Sequence, residues 1–149
     1  MKITGPDEYK LICSSNSFEV QSPNKTNKFS GKATSSIPKI YVIVNKSKPI
    51  YVGSTVQSIR NRLRAGYKAT GEHGYRGYPW KGKVKNVGLD IWYINGVKEK
   101  KWKVEMETIE SEVVFLIREH FNWPQYQTEI HFHKSTEHHR RLARKIVSK

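Results

Sequence analysis

The sequence has one cysteine, Cys13, among 149 residues. A lone thiol closes no internal disulfide, which excludes a disulfide-stapled secreted scaffold and fits a reducing cytoplasm. Long apolar runs are missing as well. No stretch approaches the roughly 20 apolar residues of a bilayer-spanning helix, and Met1-Lys2-Ile3-Thr4 starts no signal-peptide pattern. No membrane partner is expected. Acidic residues are scarce: 13 Asp plus Glu stand against 27 Lys plus Arg, a net charge of +14. A chain this basic repels itself until an anionic partner compensates, and nucleic acid is the usual one.

What is present suits one modest core. Apolar residues make up 36%, and four Trp and eight Tyr place much of the buried area in rings. Composition divides the chain into an N-terminal extension over 1–37, a central domain over 38–133 and a basic C-terminal helix over 134–149. Within the extension, Glu8 to Val20 has strand spacing on two arms of a small hairpin. Ser22 to Ser36 is a polar linker.

In the central part, Lys39 to Val44 and Ile50 to Ser54 are β-branched and aromatic, hence two strands around the turn residues Asn45 to Pro49. Ser58 caps a predicted helix over 59–67, and Trp80 to Val87 reads as a short basic helix ended by Gly88. Leu89 to Ile94 is a third strand. Spacings of three and four among Met106, Ile109, Val113, Leu116 and Ile117 predict a helix over 103–121. Thr128 to His133 reads as a short strand, and Ser135 or Thr136 caps the last helix. The expected fold is α/β (α+β): a small, mostly antiparallel three-stranded sheet flanked by helices.

Two near-copies, Ile40-Tyr41-Val42 and Ile50-Tyr51-Val52, lie on neighbouring strands. Side chains alternate faces along a strand, so register decides whether the tyrosines meet. Pairing Val44 with Ile50 sets Ile43 opposite Tyr51 and Tyr41 opposite Gly53, with both tyrosines on one face. Gly53 then leaves room beside the Tyr41 ring. Simple packing on a sheet satisfies the same pattern. Arg60, Arg62 and Arg64 follow. Arg62 borders the buried Ile59–Leu63 stripe, while Arg60 and Arg64 sit together on another side, solvated or on phosphate. A guanidinium fork beside tyrosines suits a phosphodiester.

Ile40-Tyr41, Tyr51-Val52-Gly53 and the run Ser58-Ile59-Arg60-Asn61-Arg62-Leu63 resemble the GIY-YIG nuclease family over about 39–127. The resemblance implies a metal-dependent DNA endonuclease that hydrolyses phosphodiester bonds. It places the essential arginine at Arg62. It also implies a helix glutamate holding one Mg²⁺ or Mn²⁺. Glu112 is favoured, because its helix runs through Phe115-Leu116-Ile117 to Tyr126-Gln127. Glu110 competes, on an apolar arc between Ile117 and Val114 where a carboxylate is costly unless paired.

Tyr41, or Tyr51 through water, would help to activate the attacking water. A phenol has a pKa near 10, which cationic neighbours would have to lower. The chain departs from the pattern in three places. Lys39 replaces a glycine, Gly66-Tyr67 stands where a histidine is common, so Tyr67 or His73 takes its role, and Gln127 stands where an asparagine is common. The first two departures support the alternative of a catalytically inactive basic nucleic-acid-binding module on the same fold.

Other DNA contacts are expected from Arg60, Arg64 and Arg76, and from Arg140, Arg141 and Arg144 on the last helix. The loop Tyr75 to Trp80 either stacks on bases or plugs the core. His131 and His133 share a strand face but lack a convincing third zinc ligand. Cutting both strands needs two successive nicks or two subunits, so a homodimer is one expected assembly.

Overall fold

The computed structural model describes residues 1–149. Five strands form one antiparallel sheet: β1 (Lys2–Cys13), β2 (Phe18–Gln21), β3 (Lys39–Asn45), β4 (Lys48–Thr55) and β5 (Asn86–Asn95), in the order β2-β1-β5-β3-β4. Three helices accompany it: α1 (Ile59–Lys68), α2 (Trp102–His120) and α3 (Glu137–Val147). No helix is long and apolar enough to cross a membrane.

The sheet therefore has five strands where three were expected. The expected three, β3, β4 and β5, would leave β5 as an open edge. The N-terminal hairpin covers that edge, with β1 pairing β5 from Lys2↔Asn95 to Ile12↔Asn86. Tyr9 and Leu11 alternate inward from β1 and are buried.

β3 lies between β4 and β5 and is covered on both faces, which explains its unbroken apolar run. Tyr41 and Ile43 face one core, with Leu63 of α1 and with Tyr78 and Trp80. Ile40 and Val42 face the other, with Met106, Ile109 and Val113 of α2 and Leu142 of α3.

The β3–β4 register has Tyr41 opposite Gly53 and Ile43 opposite Tyr51. The turn is tighter than expected. Val44 pairs with Pro49, leaving Ile50 as the extra residue of a bulge. Lys46 and Ser47 both adopt positive φ, the geometry of a two-residue hairpin loop. The bulge lets the adjacent Ile50 and Tyr51 share the face of Tyr41.

Ser58 caps α1 by accepting from the Asn61 amide at 3.3 Å. Thr136 caps α3, with His139 closing a capping box. Two expected elements do not form. Trp80 to Val87 turns rather than coils, with Gly82 at φ +74° and β5 already beginning at Asn86. Thr128 to His133 runs without strand pairing. It follows Gln127, whose side-chain amide occupies the outer edge of β4. Gln127 Oε1 accepts from Val52 N at 2.9 Å and its Nε2 donates to Val52 O at 3.1 Å.

Candidate active site

One open cleft of about 620 Å³ gathers Tyr41, Tyr51, Gly53, Ser54, Arg62 and Glu110 at the outer edge of β4. β4 accounts for this convergence. Alternation along it turns Tyr51 and Gly53 toward the α1 side and Ser54 toward α2. Arg62 reaches in from α1 and Glu110 from α2.

Tyr41 is fully buried, and its hydroxyl shares a 2.8 Å hydrogen bond with that of Tyr78. Tyr78 Oη in turn donates to the Arg62 carbonyl at 3.4 Å. The Tyr41 and Tyr51 rings lie 6.3 Å apart, and Tyr51 meets Tyr78 edge-on at 5.4 Å. A Cβ on Gly53 would overlap the Tyr41 ring, and one on Gly66 would overlap that of Tyr78. Both glycines thus admit a phenol.

The Arg62 guanidinium lies 5.2 Å from the Tyr78 ring centroid and 5.6 Å from that of Tyr75. Its Nη1 donates to Tyr75 Oη at 2.7 Å. Arg62 makes no ion pair, so its charge remains available to an anion.

On the opposite wall, Ser54 Oγ donates to Glu110 Oε2 at 2.8 Å. Burial pushes the Glu110 carboxyl up to about 7. The Ser54 hydrogen bond and Arg62 oppose that rise, while Glu107 and Glu129 add to it. His131 also lines this wall, with Nε2 3.3 Å from Glu129 Oε1. His133 Nε2 lies 2.8 Å from Glu107 Oε2.

Glu112, the favoured metal ligand, is not in the cleft. Two residues along a helix turn about 200°, so the side chain that reaches the cleft is that of Glu110. The apolar arc between Val114 and Ile117 was the sequence signal for it. Tyr67 is also elsewhere. It packs between Phe18 and Trp80 in the core, and its hydroxyl has no hydrogen-bond partner. His73 is exposed and absent from the cleft lining.

The expectation that cations lower the phenol pKa values is also corrected. Burial raises Tyr41 and Tyr51, and the opposing pull of Arg62 is smaller. Both phenols are therefore donors at neutral pH. The residues missed in sequence were Ser54, Tyr75 and Tyr78. Alternation from Val52 could have placed Ser54. Nothing local placed Tyr78, whose partners are 37 and 16 residues away.

The loop from Tyr75 to Trp80 plugs the core with part of its length. Tyr78 and Trp80 are buried and stacked at 4.7 Å, whereas Tyr75 and Arg76 stand exposed at the cleft. Arg60 and Arg64 lie outside the cleft. Arg140 and Arg144 both pair with Glu137, and Arg141 bonds His138.

Lys39 is fully buried, and its Nζ donates to the carbonyls of Ser35, Ile37 and Gln57 at 2.6, 2.8 and 3.0 Å. It thus leaves the cleft unobstructed.

Glu110 fits a hard divalent cation. Such ions take one or two carboxylates, completing their shells with water and phosphate oxygens. Glu110 has a single hydrogen-bond donor, so acceptor capacity remains. No cluster of three or more His, Cys, Asp or Glu side chains with metal-binding geometry forms anywhere in the molecule.

A guanidinium, a cluster of phenols packed edge-on and tilted, and a carboxylate line one cleft. Residues 38–113, just over half of the chain, match the family model of the GIY-YIG catalytic domain. The chain belongs to the GIY-YIG nuclease family. No curated protein and no solved structure matches it.

Proposed function

We propose that the chain is a divalent-metal-dependent DNA endonuclease that hydrolyses phosphodiester bonds in this cleft. The observation that supports it is the convergence of Arg62, Tyr51 and Glu110 from three different elements on one opening. The net charge of +14 supplies attraction for a polyanion.

Hydrolysis adds a water oxygen to phosphorus and breaks one P–O bond, and the leaving oxygen takes up a proton. Arg62 grips the phosphate oxygens, and its charge offsets the negative charge that grows there in the transition state. The Tyr75 and Tyr78 rings hold the fork in place. The Tyr51 hydroxyl donates a hydrogen bond that orients the phosphate or the attacking water, and the Tyr41–Tyr78 pair fixes the ring beside it. Glu107 and His131 offer acceptors for the water's proton on the opposite wall. Glu110 would hold Mg²⁺ or Mn²⁺, which when bound supplies Lewis-acid stabilisation of the leaving oxygen. A single cleft makes one nick at a time; cutting both strands takes two successive nicks or two copies of the chain.

The test is nicking of supercoiled plasmid in Mg²⁺ by the parent, Arg62→Ala and Glu110→Ala. Parent activity lost in both variants supports the reading. A parent that binds DNA but never nicks it, under Mg²⁺ or Mn²⁺, overturns it in favour of a binding module.

A further inference from the structure

Outside the matched family region, the loop between β2 and β3 lies against α1 and forms a second concavity. Asn27, Lys28 and Thr34 line it from the loop, and Ser58, Arg60 and Asn61 from the start of α1. Residues 20–34 contain Lys25, Lys28 and Lys32 and no carboxylate. α1 contains Arg60, Arg62, Arg64 and Lys68 and likewise no carboxylate. None of these cations takes part in an ion pair. This contrasts with α3, whose Arg140 and Arg144 are paired to Glu137.

The concavity is also held in shape. Arg60 Nη2 donates to the Asn27 carbonyl at 3.3 Å, and its guanidinium lies 5.3 Å from the Phe29 ring centroid. Phe29 is buried against Tyr9 at 4.8 Å, and Tyr9 Oη accepts from the Ser30 amide. The loop is thereby fastened to the sheet, and Arg60 is fastened to the loop. Two cations, two side-chain amides and two hydroxyls on a fixed surface match a phosphate, which takes several hydrogen bonds and a charge.

We infer that this concavity is a second phosphate-binding site, contributed by the N-terminal extension, which holds the DNA backbone about one or two nucleotides from the scissile phosphate. The inference rests on reading the cleft as a DNA nuclease site. Arg60 and Arg62 are two residues apart on α1 and so leave it on opposite flanks, about 10 Å apart across the helix. Phosphates of one strand lie about 7 Å apart for one step and about 13 Å for two, so one to two steps span that distance. A duplex lying over α1 thus places one phosphate beside Arg62 and another beside Arg60 and Lys28.

The experiment measures binding of a labelled 20-base-pair duplex in EDTA, where the DNA stays intact, across a range of salt concentrations. It compares the parent with the Lys28→Ala/Arg60→Ala double variant. A Lys100→Ala/Lys101→Ala variant removes the same charge from the exposed turn before α2 and serves as control. Losing two phosphate contacts lowers the log–log salt slope by about 1.8 and the affinity about tenfold. The control keeps the parent slope. Lys28 is exposed and Arg60 half-buried at the surface, so the double variant keeps the parent's circular dichroism. Equal losses in both doubles, or none in the Lys28/Arg60 double, overturn the second site. A parent that nicks plasmid in either case leaves the reading of the cleft standing. A parent that neither binds duplex nor nicks plasmid sinks that reading, and this inference with it.

Discussion

Ser54 and Glu110 are joined by a 2.8 Å hydrogen bond that ties the edge strand β4 to helix α2. Fifty-six residues apart in sequence, they bring the cleft's half-buried carboxylate within the field of Arg62. In the proposed mechanism Glu110 is the carboxylate on which chemistry depends. Glu110→Gln should slow plasmid nicking by more than a hundredfold, since a metal's charge stabilisation is worth several kcal/mol. Duplex binding in EDTA should persist. Glu112→Gln should nick at nearly the parent rate. Equal losses in the two variants would restore Glu112 to the site.

The same carboxyl makes stability depend on pH. Its folded pKa of about 7 lies above its ordinary value of 4.5, because burial penalises the anion. The sign follows from linkage: folding takes up a proton between these two values. The full stability is present below pH 4.5 and is lost as pH rises through about 7. At about 1.4 kcal/mol per pKa unit, the burial cost at pH 8 is on the order of 3 kcal/mol. Metal-free Glu110→Gln should therefore resist urea better than the parent at pH 8 and about equally at pH 4.5. Parent and variant with parallel pH–stability curves would show that Glu110 is not desolvated.

Much of this architecture was legible because it is local. The two tyrosine strands, their Tyr41–Gly53 register, the Ser58 cap and the α2 stripe follow from periodicity and capping over a few residues. The misses have non-local causes. Nothing in Lys2 to Cys13 indicates that it pairs with a strand 74 to 93 residues later. Nothing near Tyr78 indicates that it will bridge Tyr41 and the Arg62 carbonyl. Choosing Glu112 over Glu110 followed the order of a motif, whereas the helical angle favoured its competitor. The phenol pKa values were misjudged because Arg62 is visible in sequence and burial is not.

Arg62 should tolerate no substitution, including the one that keeps its charge. Tyr75 Oη and two ring faces receive a planar fork, and a lysine ammonium offers a point charge without that geometry. Arg62→Ala should lower the nicking rate by about 10²–10³, the range seen for removal of one transition-state donor. Arg62→Lys should recover only a small part of it. Full activity in the lysine variant would mean that charge alone serves and the aromatic clamp is incidental. Rates should come from single-turnover nicking at saturating enzyme, so that weaker binding is not mistaken for slower chemistry.

Lys39 offers the final test, because it stands where a glycine was expected and was a ground for supposing that cleavage had been lost. Its ammonium instead serves the fold. Three carbonyls, from Ser35, Ile37 and Gln57, depend on it, and burial holds its pKa down at about 8. Lys39→Met keeps the aliphatic stem and removes the donors. Unpaired buried acceptors cost about 1–3 kcal/mol each, and relaxation toward water recovers part of that. A net destabilisation of about 2–4 kcal/mol in urea at pH 7 is expected. Below the melting range, the folded variant should nick plasmid at the parent rate, because no lysine atom lines the cleft. A variant of parent stability but altered nicking rate would place Lys39 in the chemistry instead.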